Sequence, residues 1–371
     1  MAAQFHAGAP NLSIAIIGGS LTGLSLANTL SAHTVHVYEH SSTPLTLRGG
    51  ALGAVDVDLL HQICPKTYKH QVAGHGHFYG DLWGYLYAGL KPGQVTFGAN
   101  VTGIEDAGTE RPRVAFNGGV SEPYDLIVGC DGGKSIVRQY VTDQMPTYSG
   151  YTVWRGLCRA DDIEGPPSGR RQVRGVIYET LGFPVSVPRG YMGTEEGVLW
   201  NCGIYMAMPE SMVERPVRNR QVGAATIEVP EWFHEMISAL FDRRTASFWR
   251  NCAAKGKVTP HAVWELACKR VVKGRIALAG DAAHMASPRT GAGAYTGMRD
   301  AVAFKLALEG GGGLESALEM YNTDVVERGE ALFQRSRAAA SSFAPGEPGD
   351  VRMKPQEVVA YLKAKGGGRE L

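Results

Sequence analysis

No Cys-x-x-Cys pair occurs in this 371-residue chain, although it holds six cysteines. The missing spacing excludes a zinc ribbon and a dithiol redox motif, and no metal site is expected. Cys64, Cys130, Cys158, Cys202, Cys252 and Cys268 are spread along the chain instead, as reduced, buried thiols would be. Charge of one sign is lacking too: 37 basic and 36 acidic side chains leave a net charge of +1. Such a balance creates no strong field, so neither nucleic acid nor an anionic membrane is an expected partner. No apolar run reaches the roughly 18 residues that cross a bilayer. Residues 1–10 have neither the basic start nor the apolar core of a secretory signal, and a cytoplasmic location is expected.

What the chain has in quantity is glycine, 48 residues of it. Residues 310–313 and 366–368 read as glycine loops. Most of the others gather at a few turns. Residues 12–17 form a short isoleucine-rich run that ends in Gly18-Gly19 and reads as a buried strand. Residues 24–30 have helical spacing, and 34–39 alternate as a second strand. This is a strand–turn–helix–strand unit at the very start. Further helices are expected near 56–63 and 81–90, and strands at 95–97, 101–105, 113–116 and 124–130. From about residue 150 to 272 aromatic residues alternate with polar and small ones, the pattern of an antiparallel sheet with one covered face. Helical segments near 232–241 should pack beside it. Residues 275–279 return to an apolar strand, followed by long helices over 293–308 and 314–341 and a weak one at 355–365.

A helix N-terminus carries unpaired N–H groups and a partial positive charge. A pyrophosphate reaches it only when the preceding turn has no side chains in the way. Gly18 and Gly23 match the first and third glycines of the dinucleotide fingerprint, while Ser20 stands at the middle one. Glu39 lies about 20 residues beyond Gly18, where a carboxylate accepts hydrogen bonds from ribose hydroxyls and repels a 2′-phosphate. This segment alone points to a dinucleotide and does not separate FAD from NAD. A second glycine turn, Asp131-Gly132-Gly133-Lys134-Ser135, invites a P-loop reading. Walker A spacing needs a glycine where Val128 stands, so that reading fails.

The run from Gly280 reads Gly-Asp-Ala-Ala-His-Met-Ala-Ser-Pro-Arg-Thr-Gly-Ala-Gly. It follows a strand and opens a helix. Here the chain resembles the group A flavoprotein monooxygenases, the single-component aromatic hydroxylases. The resemblance covers nearly the whole chain. Its glycine start, Trp154-Arg155-Gly156 and the strand from Trp200-Asn201 to Tyr205 are similar to the dihydroxypyridine hydroxylase branch. It implies an α/β, PHBH-like fold: a Rossmann-like FAD-binding domain of residues 1–149 and 273–343 with an inserted antiparallel-sheet substrate domain of residues 150–272. Residues 64–100 would contribute to the latter, and 344–371 would form a tail.

The same resemblance implies site residues. Gly18, Ser20, Leu21, Thr22, Gly23, Glu39 and His40 would hold the AMP half of FAD. Asp131 would lie near the pyrophosphate while capping its own turn, with Arg138 orienting that turn. Asp281 would bind the ribityl hydroxyls, and Pro288, Gly291, Ala292 and Gly293 would meet the isoalloxazine ring. Arg48 and Gly49 would lie beside it. Two departures stand out: Tyr79-Gly80 occupy a place where the family often has a flavin-touching arginine, and Gly53 stands near a position that related enzymes give to histidine. NAD(P)H, with NADPH favoured, would reduce the flavin. Molecular oxygen and a small aromatic or heteroaromatic substrate would complete the reaction, in a monomer or homodimer. Arg48, Pro288 and Tyr205 are the candidate catalytic residues, with Tyr178 and Tyr191 as further candidates for a base. A reductase, oxidase or epoxidase of the same fold stays open, as does a non-catalytic FAD-binding protein.

Overall fold

Ile14, Ile16 and Ile17 are β-branched and buried, which suits a strand covered on both faces. The computed structural model describes residues 11–47, 50–52, 56–66, 76–159, 168–174, 176–187, 197–210, 229–341, 343 and 354–364. The first elements in chain order are β1 (Ser13–Ile17), α1 (Leu21–Thr29), β2 (Thr34–Glu39), α2 (Val57–Ile63), α3 (Tyr79–Tyr87), β3 (Val95–Phe97) and β4 (Leu126–Gly129). Then come β5 (Thr147–Arg159), β6 (Gly169–Val173), β7 (Val176–Val187), β8 (Gly197–Ala207), α4 (Glu231–Leu240), α5 (Arg243–Ala254) and β9 (Val258–Ala267). The last are β10 (Val272–Lys273), β11 (Ile276–Leu278), β12 (His284–Met285), α6 (Gly293–Glu309), α7 (Gly313–Ala340) and α8 (Pro355–Ala364).

One sheet has the order β10-β11-β4-β1-β2-β3, and every pairing in it except β10–β11 is parallel. Residues far apart in sequence thus become neighbours, since β11 lies one strand away from β1. Helix α1 packs on α6, and α6 on α7. Thr29 Oγ1 donates to the Ala301 carbonyl across the first of these contacts, at 3.2 Å.

The other sheet is antiparallel, ordered β6-β7-β8-β5-β9-β12. Successive side chains of a strand point to opposite faces. The even-numbered residues Trp154, Tyr178, Cys202 and Ile204 share a core with Phe233 of α4, Trp249 of α5 and Val358 of α8. The odd-numbered Tyr151, Val153 and Tyr205 face the other way, toward Ala340 at the end of α7 and Phe343. The α/β class expected from the sequence is what forms. Helix α5 was not expected. Its signals are Asp242, whose side chain accepts from the Thr245 amide, and the buried face of Phe248, Trp249 and Cys252. No helix among the described residues is long and apolar enough to cross a membrane.

Candidate functional site

The parallel strands bring four sequence motifs to one row. Ile17 stands beside Tyr38 on one side and Gly129 on the other, and Leu278 stands beside Gly129. The pairing carries one residue further: the Gly18 amide donates to Tyr38, that of Cys130 to Ile17 and that of Ala279 to Gly129, at 2.7–2.9 Å. Gly18, Glu39, Cys130-Asp131 and Gly280-Asp281 therefore leave the sheet together at its carboxyl edge, where open α/β sheets bind ligands.

Glycine is required at the first turn by the protein's own backbone. Gly18 has φ +104°, and a Cβ on it would lie 2.4 Å from the Cys130 carbonyl oxygen. A Cβ on Gly23 would lie 1.9 Å from the Gly18 oxygen. Ser20 spends its hydroxyl on Tyr79 Oη, 2.6 Å away, and makes no capping bond to α1. The N–H groups of the first turn of α1 are thus left uncapped by it. Glu39 is only 2% exposed. Its Oε2 accepts from the Gly19 amide and its Oε1 from the Ser41 amide, both at 2.8 Å, with His40 Nδ1 at 3.1 Å from Oε1. A carboxylate has about four acceptor positions, so ribose hydroxyls still find acceptors here.

The two distant motifs touch at Thr22. A Cβ on Gly280 would come within 2.6 Å of Thr22 Oγ1, and one on Gly297 of α6 within 2.3 Å. Arg138 ties in the middle motif. Its buried guanidinium donates to the carbonyls of Gly132, Gly133, Asp281 and Ala282 at 2.9–3.3 Å. All its donors serve the protein, so it holds loops rather than a ligand. Asp131 Oδ2 accepts from the Ile136 and Val137 amides, as a turn cap should. Its other oxygen, Oδ1, is buried without a hydrogen-bond partner. Burial raises this carboxyl's pKa. Asp281 is exposed yet walled in by protein, and that enclosure raises its pKa as well. An open acid on this edge fits a polyhydroxylated ligand, and the uncapped amides of α1 fit a phosphate.

A family model described as an FAD binding domain matches residues 87–336. The chain belongs to the FAD binding domain family. It is 25% identical over 383 residues to 2,6-dihydroxypyridine 3-monooxygenase of Paenarthrobacter nicotinovorans, covering 90% of this chain and 94% of that one. The solved 2,6-dihydroxypyridine-3-hydroxylase of Arthrobacter nicotinovorans superposes with a TM-score of 0.73 at 21% identity, over 95% of this chain and 96% of its own. HpxO of Klebsiella pneumoniae, solved with FAD and uric acid, gives a TM-score of 0.67 at 19% identity, over 96% and 92%. The fold is that of the PHBH-like flavoproteins, and the resemblance to group A monooxygenases holds. FAD is the cofactor.

In this FAD binding domain a deeper layer supports the Gly280 turn. Asp300, fully buried on α6, accepts from the Gly280 amide at 2.8 Å, sits 2.8 Å from His284 Nε2 and takes Arg328 Nε at 3.3 Å. Burial alone would lower the His284 pKa, but the Asp300 carboxylate outweighs it and the pKa is raised. His284 therefore braces the turn at Gly280 through Asp300. Sequence reasoning missed Asp300, although it lies on the helix that the Gly-Asp run opens.

The rest of that loop is open. Pro288 is exposed and starts a single turn, Pro288–Thr290, with Ser287 Oγ accepting from the Arg289 amide. Nothing lies within 4 Å of where a Cβ would stand on Gly291 or Gly293. Ala292 makes no capping bond and the first turn of α6 carries no acid. The N-terminus of α6 is thus uncompensated, with room above it. Opposite stands Tyr205, 9% exposed, with its ring 5.4 Å from Phe343. Tyr178 belongs to the helix-covered face of the sheet and is turned away from this loop. Arg48, Gly49, Gly53 and Tyr191 lie outside the described residues.

Proposed function

We propose that this chain is an FAD-dependent, NAD(P)H-consuming monooxygenase that hydroxylates a small, electron-rich aromatic or N-heteroaromatic ring. The observation that carries the reading is the single row of strand ends that brings Glu39, Asp131 and Asp281 to one edge beside the open loop 288–293. FAD held there would supply the oxygen-activating chemistry, with NAD(P)H as its reductant. The protein's part is to bind, orient and keep water out.

Gly18, Ser20, Leu21, Thr22, Gly23, Glu39 and His40 would hold the AMP half, Asp131 the middle and Asp281 the ribityl chain. Pro288, Gly291, Ala292 and Gly293 would take the ring, and the α6 N-terminus favours negative charge on it. Arg48 and Gly49 would lie alongside. Residues 1–149 and 273–343 would act as the FAD unit and residues 150–272 as the substrate unit. Only one Rossmann-type turn is present among the described residues, so NAD(P)H, with NADPH favoured, would dock transiently. Tyr205 serves better as a hydrogen-bond partner than as a base, because burial holds its pKa above that of a free phenol.

The test is direct. Purified protein should be yellow, and hydroxypyridines or phenols should stimulate NADPH oxidation with labelled oxygen entering the product. Turnover with an alternative acceptor and no oxygen in the product would defeat the hydroxylase reading.

A further inference from the structure

The odd-numbered face of the antiparallel sheet carries its own chemistry opposite the flavin loop. Glu179 of β7 stands beside Tyr205 of β8, which stands beside Val153 of β5, and Val153 stands beside His261 of β9. Two residues along β5 on the same face is Arg155, with Gly203 and Thr259 as its cross-strand neighbours. Arg289, next to Pro288 on the flavin loop, closes this group from above. Its guanidinium lies 2.9 Å from Glu179 Oε2 and 5.8 Å from the Tyr205 ring centre. Arg155, Tyr205 and Glu179 thus lie on one face of neighbouring strands, and Arg289 reaches the last two from the loop.

Their charges do not balance. Arg289 is compensated by Glu179. Among the described residues Arg155 has no carboxylate partner, and it is half-buried. Neither Gly203 nor Thr259 can supply one, and Glu179 on that face is already paired with Arg289. A guanidinium that has lost part of its hydration and meets no anion is poorly satisfied. Its planar fork suits an oxyanion.

We propose that Arg155 is the substrate's oxyanion partner: it meets a negatively charged oxygen on the bound ring and thereby sets which ionisation state the site accepts. This rests on the oxygenase reading above and deepens it. An ionised ring hydroxyl makes the ring richer in electrons and readier for electrophilic oxygen, so no side-chain base has to lie next to it. The groups facing Arg155 are Glu179 from β7, Tyr205 from β8, His261 from β9 and Arg289 from the loop. A ring carboxylate offers the same chemistry as a ring hydroxylate, and the test separates them.

The experiment is an ultraviolet difference titration of the FAD-loaded protein with 2,6-dihydroxypyridine in one arm and benzoate in the other. Wild type, Arg155→Gln, Arg155→Lys and Tyr205→Phe are compared. A hydroxypyridine changes its ultraviolet band on ionisation, so the bound form can be read. Wild type should bind at least one probe as its anion. Arg155→Gln should weaken that binding about 10- to 100-fold, with Arg155→Lys between the two. Tyr205→Phe should still bind the anion. Thermal midpoints and flavin absorbance of both Arg155 variants should match wild type, since Arg155 anchors nothing else. Dependence of dihydroxypyridine binding on Arg155 identifies a ring hydroxylate, and dependence of benzoate binding a carboxylate. Unchanged affinity and ionisation for both probes in Arg155→Gln would overturn the proposal, as would loss of the anion in Tyr205→Phe alone. Flavin content and reduction by NADPH in the wild type test the oxygenase reading separately.

Discussion

The two sheets that meet at the loop 288–293 are built from different materials. The cofactor side is a row of backbone turns in which glycines meet carbonyls and amides meet carboxylates. The facing side is a sheet that presents side chains, Arg155, Glu179 and Tyr205, which under the proposal above would do the recognising. A site made of backbone tolerates almost no substitution, because any added atom collides with main chain. A site made of side chains can be retuned while the strands stay as they are.

That contrast orders the expected effects of mutation. Asp300→Ala should be the most damaging, removing about 3–5 kcal/mol of stability, because it leaves the buried His284 without its partner and takes one of the two carboxylates of Arg328. Chemical denaturation measures this. Gly18→Ala should follow, since a side chain at φ +104° is strained by about 1–3 kcal/mol before its clash with Cys130 is counted. Retained FAD and thermal midpoint should both fall. Glu39→Gln should weaken FAD binding about tenfold or more, read by flavin fluorescence on titrating apoprotein, while the fold persists. At the other extreme, Tyr178→Phe should change stability by about 1 kcal/mol or less and leave the substrate KM alone, because its ring serves the helix-covered core and is kept by phenylalanine. A strong KM effect there would erase the distinction between the two faces of the sheet.

The pH dependence of stability sharpens the same comparison. His284 has a folded-state pKa above its ordinary 6.5. Its pairing with Asp300 therefore stabilises the fold fully below about pH 6.5, and that contribution is lost as pH rises through the raised value. Thermal midpoints between pH 6 and 9 should fall in the wild type, and Asp300→Asn should flatten the slope. An equal slope in both proteins would mean that another group is responsible.

The same division explains what could be seen in the sequence. Gly18, Gly23, Glu39 and the Gly280-Asp281 turn were legible because backbone geometry forces particular residues at particular spacings. The bond of Ser20, which stands at the middle glycine position, to Tyr79 was not legible, because the two lie 59 positions apart. Asp300 was not legible, because an acid inside a helix looks like any solvated side chain until the helix is docked. Arg289 and Glu179 are 110 positions apart in sequence and meet only through the docking of loop on sheet. Choosing between Tyr178 and Tyr205 needed the cross-strand register, and alternation within each strand alone did not provide it.

The most direct test of the account is a crystal structure of the protein grown with FAD. The account predicts one extended molecule lying along the carboxyl edge of the parallel sheet, its adenosine ribose on Glu39, its ribityl chain on Asp281 and its ring at residues 288–293. FAD lying away from that edge, or reaching only one of the two carboxylates, would contradict it.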